Sequence, residues 1–128
     1  MLAYSRRATT RLDEQLRAEA GMTLEEYDVI YQLSTGDRGG VRMTALASAL
    51  LVAPSSCTRL VSRLTERGWV DRRADPDDGR AVVAALTPTG RRALARAAVS
   101  HLRGIEEVFG SRLSVAEARS LGRTLAKL

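Results

Sequence analysis

The stretch from Leu64 to Thr87 constrains this chain most. Two strand-length runs, Trp69 to Ala74 and Ala81 to Leu86, flank the tip Asp75-Pro76-Asp77-Asp78-Gly79-Arg80, whose Pro, Gly and Asp residues are those that tight turns require. Gly68, just before the first run, can end a helix in a left-handed conformation. A helix followed by a projecting β-hairpin is therefore expected, with Arg80 carried at the tip. A guanidinium so placed can enter a narrow, electronegative groove.

The helix ahead of the hairpin is expected from Pro54 to about Arg67. Proline is tolerated at a first helical position because its missing N–H would have no partner there. Cys57, Leu60, Val61 and Leu64 recur at three- and four-residue spacing and form its apolar stripe, while Ser55, Ser56, Thr58, Arg59, Ser62 and Arg63 lie off it. Short hydroxyls at a helix start allow close approach to phosphates and bases. Arginines one turn further on can reach guanine edges or phosphate. Upstream, Thr44 is placed as the cap of a brief helix carrying Leu46, Ala49 and Leu50, and Val41-Arg42-Met43 before it is extended in character. A short helix, a tight turn and a second helix make a helix-turn-helix, with the hairpin as its wing.

The flanking segments are helical too. Leu12 and Leu16 share a face that Ala20 extends before Gly21, and Thr23 with Glu26 forms a capping box for a helix bearing Leu24, Tyr27, Ile30 and Tyr31. Thr87-Pro88 opens a long helix lined by Leu94, Ala98, Leu102, Ile105 and Phe109 and ended by Gly110. Ser114-Val115-Ala116-Glu117 caps a last one with Leu121, Leu125 and Leu128. The expected fold is mainly α. One winged helix-turn-helix domain spans residues 1–128, with a DNA-binding module at about 23–87 and a helical dimerisation layer from about 1–20 and 88–128.

Composition agrees with this reading. Of 128 residues 45% are hydrophobic but only 4% aromatic, so the core must be built from Leu, Val and Ala, which suits helices. Twenty Lys and Arg against fifteen Asp and Glu leave a net charge of +5, which favours polyanionic partners without choosing among DNA, RNA and anionic lipid. A single cysteine excludes an intramolecular disulfide, and no run approaches the roughly 18 to 20 apolar residues that span a bilayer. With no secretory signal at Met1 to Arg7, a cytoplasmic protein without membrane association is expected.

The residues resemble the MarR family of bacterial winged helix-turn-helix regulators from about Leu12 to the C-terminus. The family's wing pattern of Asp, any residue, Arg, five residues and Leu-Thr is met by Asp78, Gly79, Arg80, Ala81 to Ala85 and Leu86-Thr87. Its recognition-helix pattern is met by Ser55, Ser56, Thr58, Arg59, Leu60, Val61, Arg63, Leu64 and Gly68. The resemblance implies a homodimeric transcriptional regulator on a pseudo-palindromic double-stranded operator, a repressor relieved by a small aromatic or anionic effector bound between the dimer helices and the DNA module. Carried over residue by residue, Ser55, Ser56, Thr58, Arg59 and Arg63 become major-groove or phosphate contacts, Arg80 the minor-groove contact and Asp78 its orienting partner. Arg72 and Arg73 lie on opposite strand faces, and Arg73 is assigned to DNA.

The chain departs from the family at three places. Leu51 stands where the turn usually carries glycine and is expected to be strained or differently placed. Ala53 stands at the N-cap instead of Ser or Thr, and the arm before Leu12 is short for the family. Two other regulatory or binding readings remain: a redox sensor built on Cys57, against which its place on the apolar stripe argues, and a winged-helix module for protein assembly alone. Tyr27 and Tyr31 are assigned to the core. One Cys, one His and scattered carboxylates supply no nucleophile, base or metal constellation, so neither an enzyme nor a cofactor is expected.

Overall fold

A computed structural model describes the backbone of residues 2–109 and the side chains of residues 9–107. The elements are α1 (Leu2–Ala20), α2 (Leu24–Thr35), β1 (Val41–Arg42), α3 (Met43–Leu50), α4 (Pro54–Glu66), β2 (Val70–Ala74), β3 (Val82–Leu86) and α5 (Pro88–Phe109). The helix expected around Leu121, and the Gly110 stop, lie outside the described residues. Among the described residues the chain divides into two compact units, residues 25–94 and residues 2–24 with 95–109.

In the 25–94 unit the three strands form one antiparallel sheet in the order β1-β3-β2. Val70 pairs with Leu86 and Ala74 with Val82, while Val41 and Arg42 pair with Ala84 and Val83 on the other side of β3. The extended character of Val41-Arg42 is thus the third strand of the wing sheet. The core of this unit holds Tyr27, Ile30, Leu46, Leu60, Val61, Leu64, Trp69, Val70 and Leu94. All four residues of the Cys57-Leu60-Val61-Leu64 stripe are buried.

The third helix starts two residues earlier than expected. Arg42, in extended conformation, is its N-cap, so Thr44 lies inside α3. The stripe shifts accordingly: Leu46 and Ala47 are buried, Met43 and Leu50 are half-buried, and Ala49 faces solvent. Around α2 the buried set includes Val29 and Leu33 beside Tyr27 and Ile30, with Tyr31 half-buried and stacked on Tyr27 at a centroid distance of 6.2 Å.

The turn from α3 to α4 carries the strain expected at Leu51. Leu51 has φ 58° and ψ 40°, its N–H donates to the Ser48 carbonyl at 3.2 Å, and the Val52 N–H donates to the Ala47 carbonyl at 3.1 Å. This is the hydrogen-bond pattern that glycine usually completes. The leucine side chain gains nothing in return, being 92% exposed. A left-handed L-residue costs about 1–2 kcal/mol, and glycine's extra freedom in the unfolded chain returns roughly 0.5–1 of that. Leu51→Gly should therefore stabilise the protein by about 0.5–1 kcal/mol; a thermal midpoint that stays put or falls would show that the turn is not strained.

The other unit contains α1 and the part of α5 from Ala95. Leu12 and Leu16 are buried on α1, as expected from their spacing, and Ala97 and Ala98 on α5. The Ser100 hydroxyl donates to the Glu19 carboxylate at 2.9 Å, and Arg103 forms an ion pair with the same group. Asp13 on α1 accepts the Leu24 N–H at 2.8 Å, supplying an anion at the start of α2. Leu102 and Ile105 are half-buried, and the side chain of Phe109 lies outside the described set.

Candidate nucleic-acid interface

Helix α4 stops where its sequence makes it stop. The Trp69 N–H donates to the Leu64 carbonyl at 3.0 Å and the Gly68 N–H to the Thr65 carbonyl at 3.0 Å, with Gly68 at φ 75°, so the chain leaves the helix straight into β2. At its start Ala53 makes no side-chain cap and Pro54 occupies the first turn. The α4 N-terminus therefore keeps its positive end without the oxygen a Ser or Thr would have supplied.

On α4 the structure brings together four of the five expected contacts. Ser56, Thr58, Arg59 and Arg63 line one groove of about 550 Å³ with Ser62, Leu60, Val52 and Glu25; Ser55 is exposed on the same helix. Arg59 donates to the Ser56 hydroxyl oxygen at 3.3 Å, which holds both near the helix surface. The Thr58 hydroxyl donates to the Pro54 carbonyl at 3.0 Å, so it presents an acceptor outward and would exchange that bond to donate to a phosphate. The groove is rich in donors. Glu25, from the first turn of α2, adds one carboxylate against two guanidiniums, and no motif in the sequence marks it.

The wing residues form a second cluster. Asp78 and Arg80 stand exposed at the tip, where the Arg80 N–H donates to the Asp78 carboxylate at 3.1 Å. Asp78 thus holds the backbone from which Arg80 projects. Arg73 is exposed on β2 opposite Val83, and Arg72, also exposed, is opposite Ala84. By the two-residue period the two arginines occupy opposite faces, and Arg42, also registered with Val83, shares the face of Arg73.

The base of the wing is joined to its neighbours by contacts that sequence spacing does not reveal. Thr87 donates its hydroxyl to the Gly68 carbonyl at 2.7 Å and accepts the Gly90 N–H at 2.9 Å, so it caps α5, as expected, while gripping the end of α4. The Arg67 guanidinium lies 3.6 Å over the Trp69 ring and 3.8 Å from the buried Glu26 carboxylate. Cys57 is buried, and burial pushes its thiol up from the ordinary value, opposite to the shift that makes a cysteine reactive. Among the described residues no group of three His, Cys, Asp or Glu could hold a metal, and no single helix is long and apolar enough to cross a membrane.

Comparison with known proteins places this arrangement. The MarR-family profile matches residues 20–81. A MarR-family transcriptional regulator from Streptomyces coelicolor, solved in complex with DNA, superimposes with a TM-score of 0.82 at 31% identity, covering 98% of this chain and 79% of that one. The chain belongs to the MarR family. AbsC, a second MarR-family regulator from the same organism, superimposes with a TM-score of 0.81 at 25% identity, the match covering 98% of this MarR-family chain and 84% of AbsC. A Thauera aromatica protein named as a putative transcriptional regulatory protein for the hcr operon is 37% identical over 89 residues, 70% of this chain. That match spans 53% of the Thauera protein's length. In this MarR-family chain the winged helix-turn-helix is therefore α3, α4 and the β2–β3 hairpin, with β1 as the third strand.

Proposed function

We propose that this MarR-family chain is a sequence-specific regulator of transcription that binds double-stranded DNA as a homodimer. The observation that carries the reading is the segregation of α4: its apolar stripe is buried, leaving Ser55, Thr58, Arg59 and Arg63 outward beside an exposed hairpin that holds Arg80 at its tip. Helix α4 then enters the major groove, Ser55, Ser56 and Thr58 approach phosphates and bases near its start, and Arg59 and Arg63 meet guanine edges or phosphate. The wing reaches the adjacent minor groove with Arg80, positioned by Asp78, while Arg73 faces the backbone. Helix α1, α5 and the C-terminal segment pair two copies, and the two recognition helices read a pseudo-palindrome with half-sites about one helical turn apart. Within this reading the protein represses, and a small aromatic or anionic effector relieves repression.

The test is a fluorescence anisotropy titration against duplex DNA from the gene's own upstream region and a scrambled duplex, at two salt concentrations. The upstream duplex should bind more tightly. Roughly six to ten phosphate contacts would cost about a thousandfold or more in affinity between roughly 50 and 200 mM salt. Equal binding of both duplexes would remove the sequence-specific reading, and self-association unaffected by salt with no DNA binding would make this an assembly module.

A further inference from the structure

Asp75 opens the turn at the wing tip with every polar group it has. Its N–H donates to the Ala81 carbonyl at 2.9 Å, its carbonyl accepts the Asp78 N–H at 3.2 Å, and one carboxylate oxygen accepts the Asp77 N–H at 2.9 Å. The other oxygen accepts the Arg42 Nε–H at 2.7 Å. Asp78, whose own carboxylate holds the Arg80 amide, is therefore fixed to a turn that Asp75 builds and Arg42 anchors.

Arg42 is well placed to act as that anchor. It is the last residue of β1 and the N-cap of α3, so its backbone belongs to the helix-turn-helix while its side chain reaches the hairpin. The Asp75 side chain is 11% exposed, against 49% for Arg42. The Asp77 amide, and after it the Arg42 guanidinium, hold the Asp75 carboxyl below the usual carboxylate range, so the pair stays charged near neutral pH. A hairpin tip tied only by its own strands could swing as a unit. Here a bond crosses from the tip to the element that starts α3.

We infer that Arg42, acting through Asp75, is a positioning residue that sets where the wing carries Arg80 relative to the recognition helix. The inference rests on the proposed reading of DNA by the wing. Arg42 itself need not touch DNA, and this separates it from a phosphate contact. If Arg42 served phosphate, releasing it from Asp75 would tighten binding; if it works through Asp75, losing either partner has the same effect.

The experiment compares the wild type, Arg42→Ala, Asp75→Asn, the double variant and Arg80→Ala. Each is titrated against the tightest-binding upstream duplex and against the same duplex cut back to its two major-groove half-sites. Asp75→Asn keeps the oxygen that accepts the Asp77 amide and loses the charge, so it tests the pair even if Arg42→Ala folds poorly. On the full duplex Arg42→Ala and Asp75→Asn should each weaken binding about fivefold and the double variant no more than either, since coupled residues are not additive. On the trimmed duplex all should match the wild type. The inference is overturned if Arg42→Ala loses equally on both duplexes, or if Asp75→Asn tightens binding. If trimming and Arg80→Ala leave the wild-type affinity unchanged, the wing reading itself fails and this inference falls with it.

Discussion

Replacing Gly90 by alanine should lower the stability of the protein by about 2 kcal/mol, a fall of roughly 8 °C in thermal midpoint for a chain of this size. Gly90 sits in the first turn of α5, buried against the base of the wing. A Cβ there would overlap the Trp69 carbonyl oxygen and lie 2.8 Å from Leu86 Cδ1 and 3.0 Å from the Trp69 carbonyl carbon. The obstacle is backbone. The same carbonyl accepts the Thr87 N–H at 3.0 Å, so it cannot move without loosening the cap of α5. Overpacking of this kind costs up to about 3 kcal/mol, and alanine's better helix propensity returns at most about 1. Gly79, at the wing tip, has no neighbour within 4 Å of where a methyl would stand, which makes it the control. Gly79→Ala should stay within about 0.5 kcal/mol of the wild type. Equal midpoints for the two variants would show that α5 does not need the close approach.

Arg80→Ala should weaken binding to the upstream duplex by about 1–3 kcal/mol, roughly ten- to a hundredfold, with little change in thermal stability. Arg80 is exposed, and it is its backbone amide that donates to Asp78, a bond that alanine retains. Folding should therefore be spared while the DNA contact is lost. Because a minor-groove guanidinium reads groove width, the variant should also lose preference for A·T-rich flanking sequence. Anisotropy titrations on duplexes differing only in those flanks measure both effects. Unchanged affinity with unchanged flank preference would take Arg80 out of the interface and leave α4 to carry recognition.

Much of this was legible because it is local. The α4 stripe needed only helical periodicity, the stop at Gly68 only a residue free to take positive φ, and the wing only turn-forming residues between two strand-length runs. Thr87 was legible as a cap for the same reason. The shifted α3 start, by contrast, has a non-local origin: Thr44 is the better capping side chain, yet the pairing of Val41 and Arg42 with β3 commits Arg42 to extended backbone and lets the helix begin at Met43.

Which segments are helical, which face of α4 is apolar and which residues the hairpin tip exposes all follow from spacing within a dozen residues. What joins them depends on the packed fold. Arg42 meets Asp75 across 33 positions, Thr87 closes on Gly68 across 19, and Glu26 on α2 reaches Arg67 at the far end of α4. No period or motif encodes such partners, because they depend on which strands pair and how closely the start of α5 approaches the wing. Those contacts fix the direction in which the locally specified groups point.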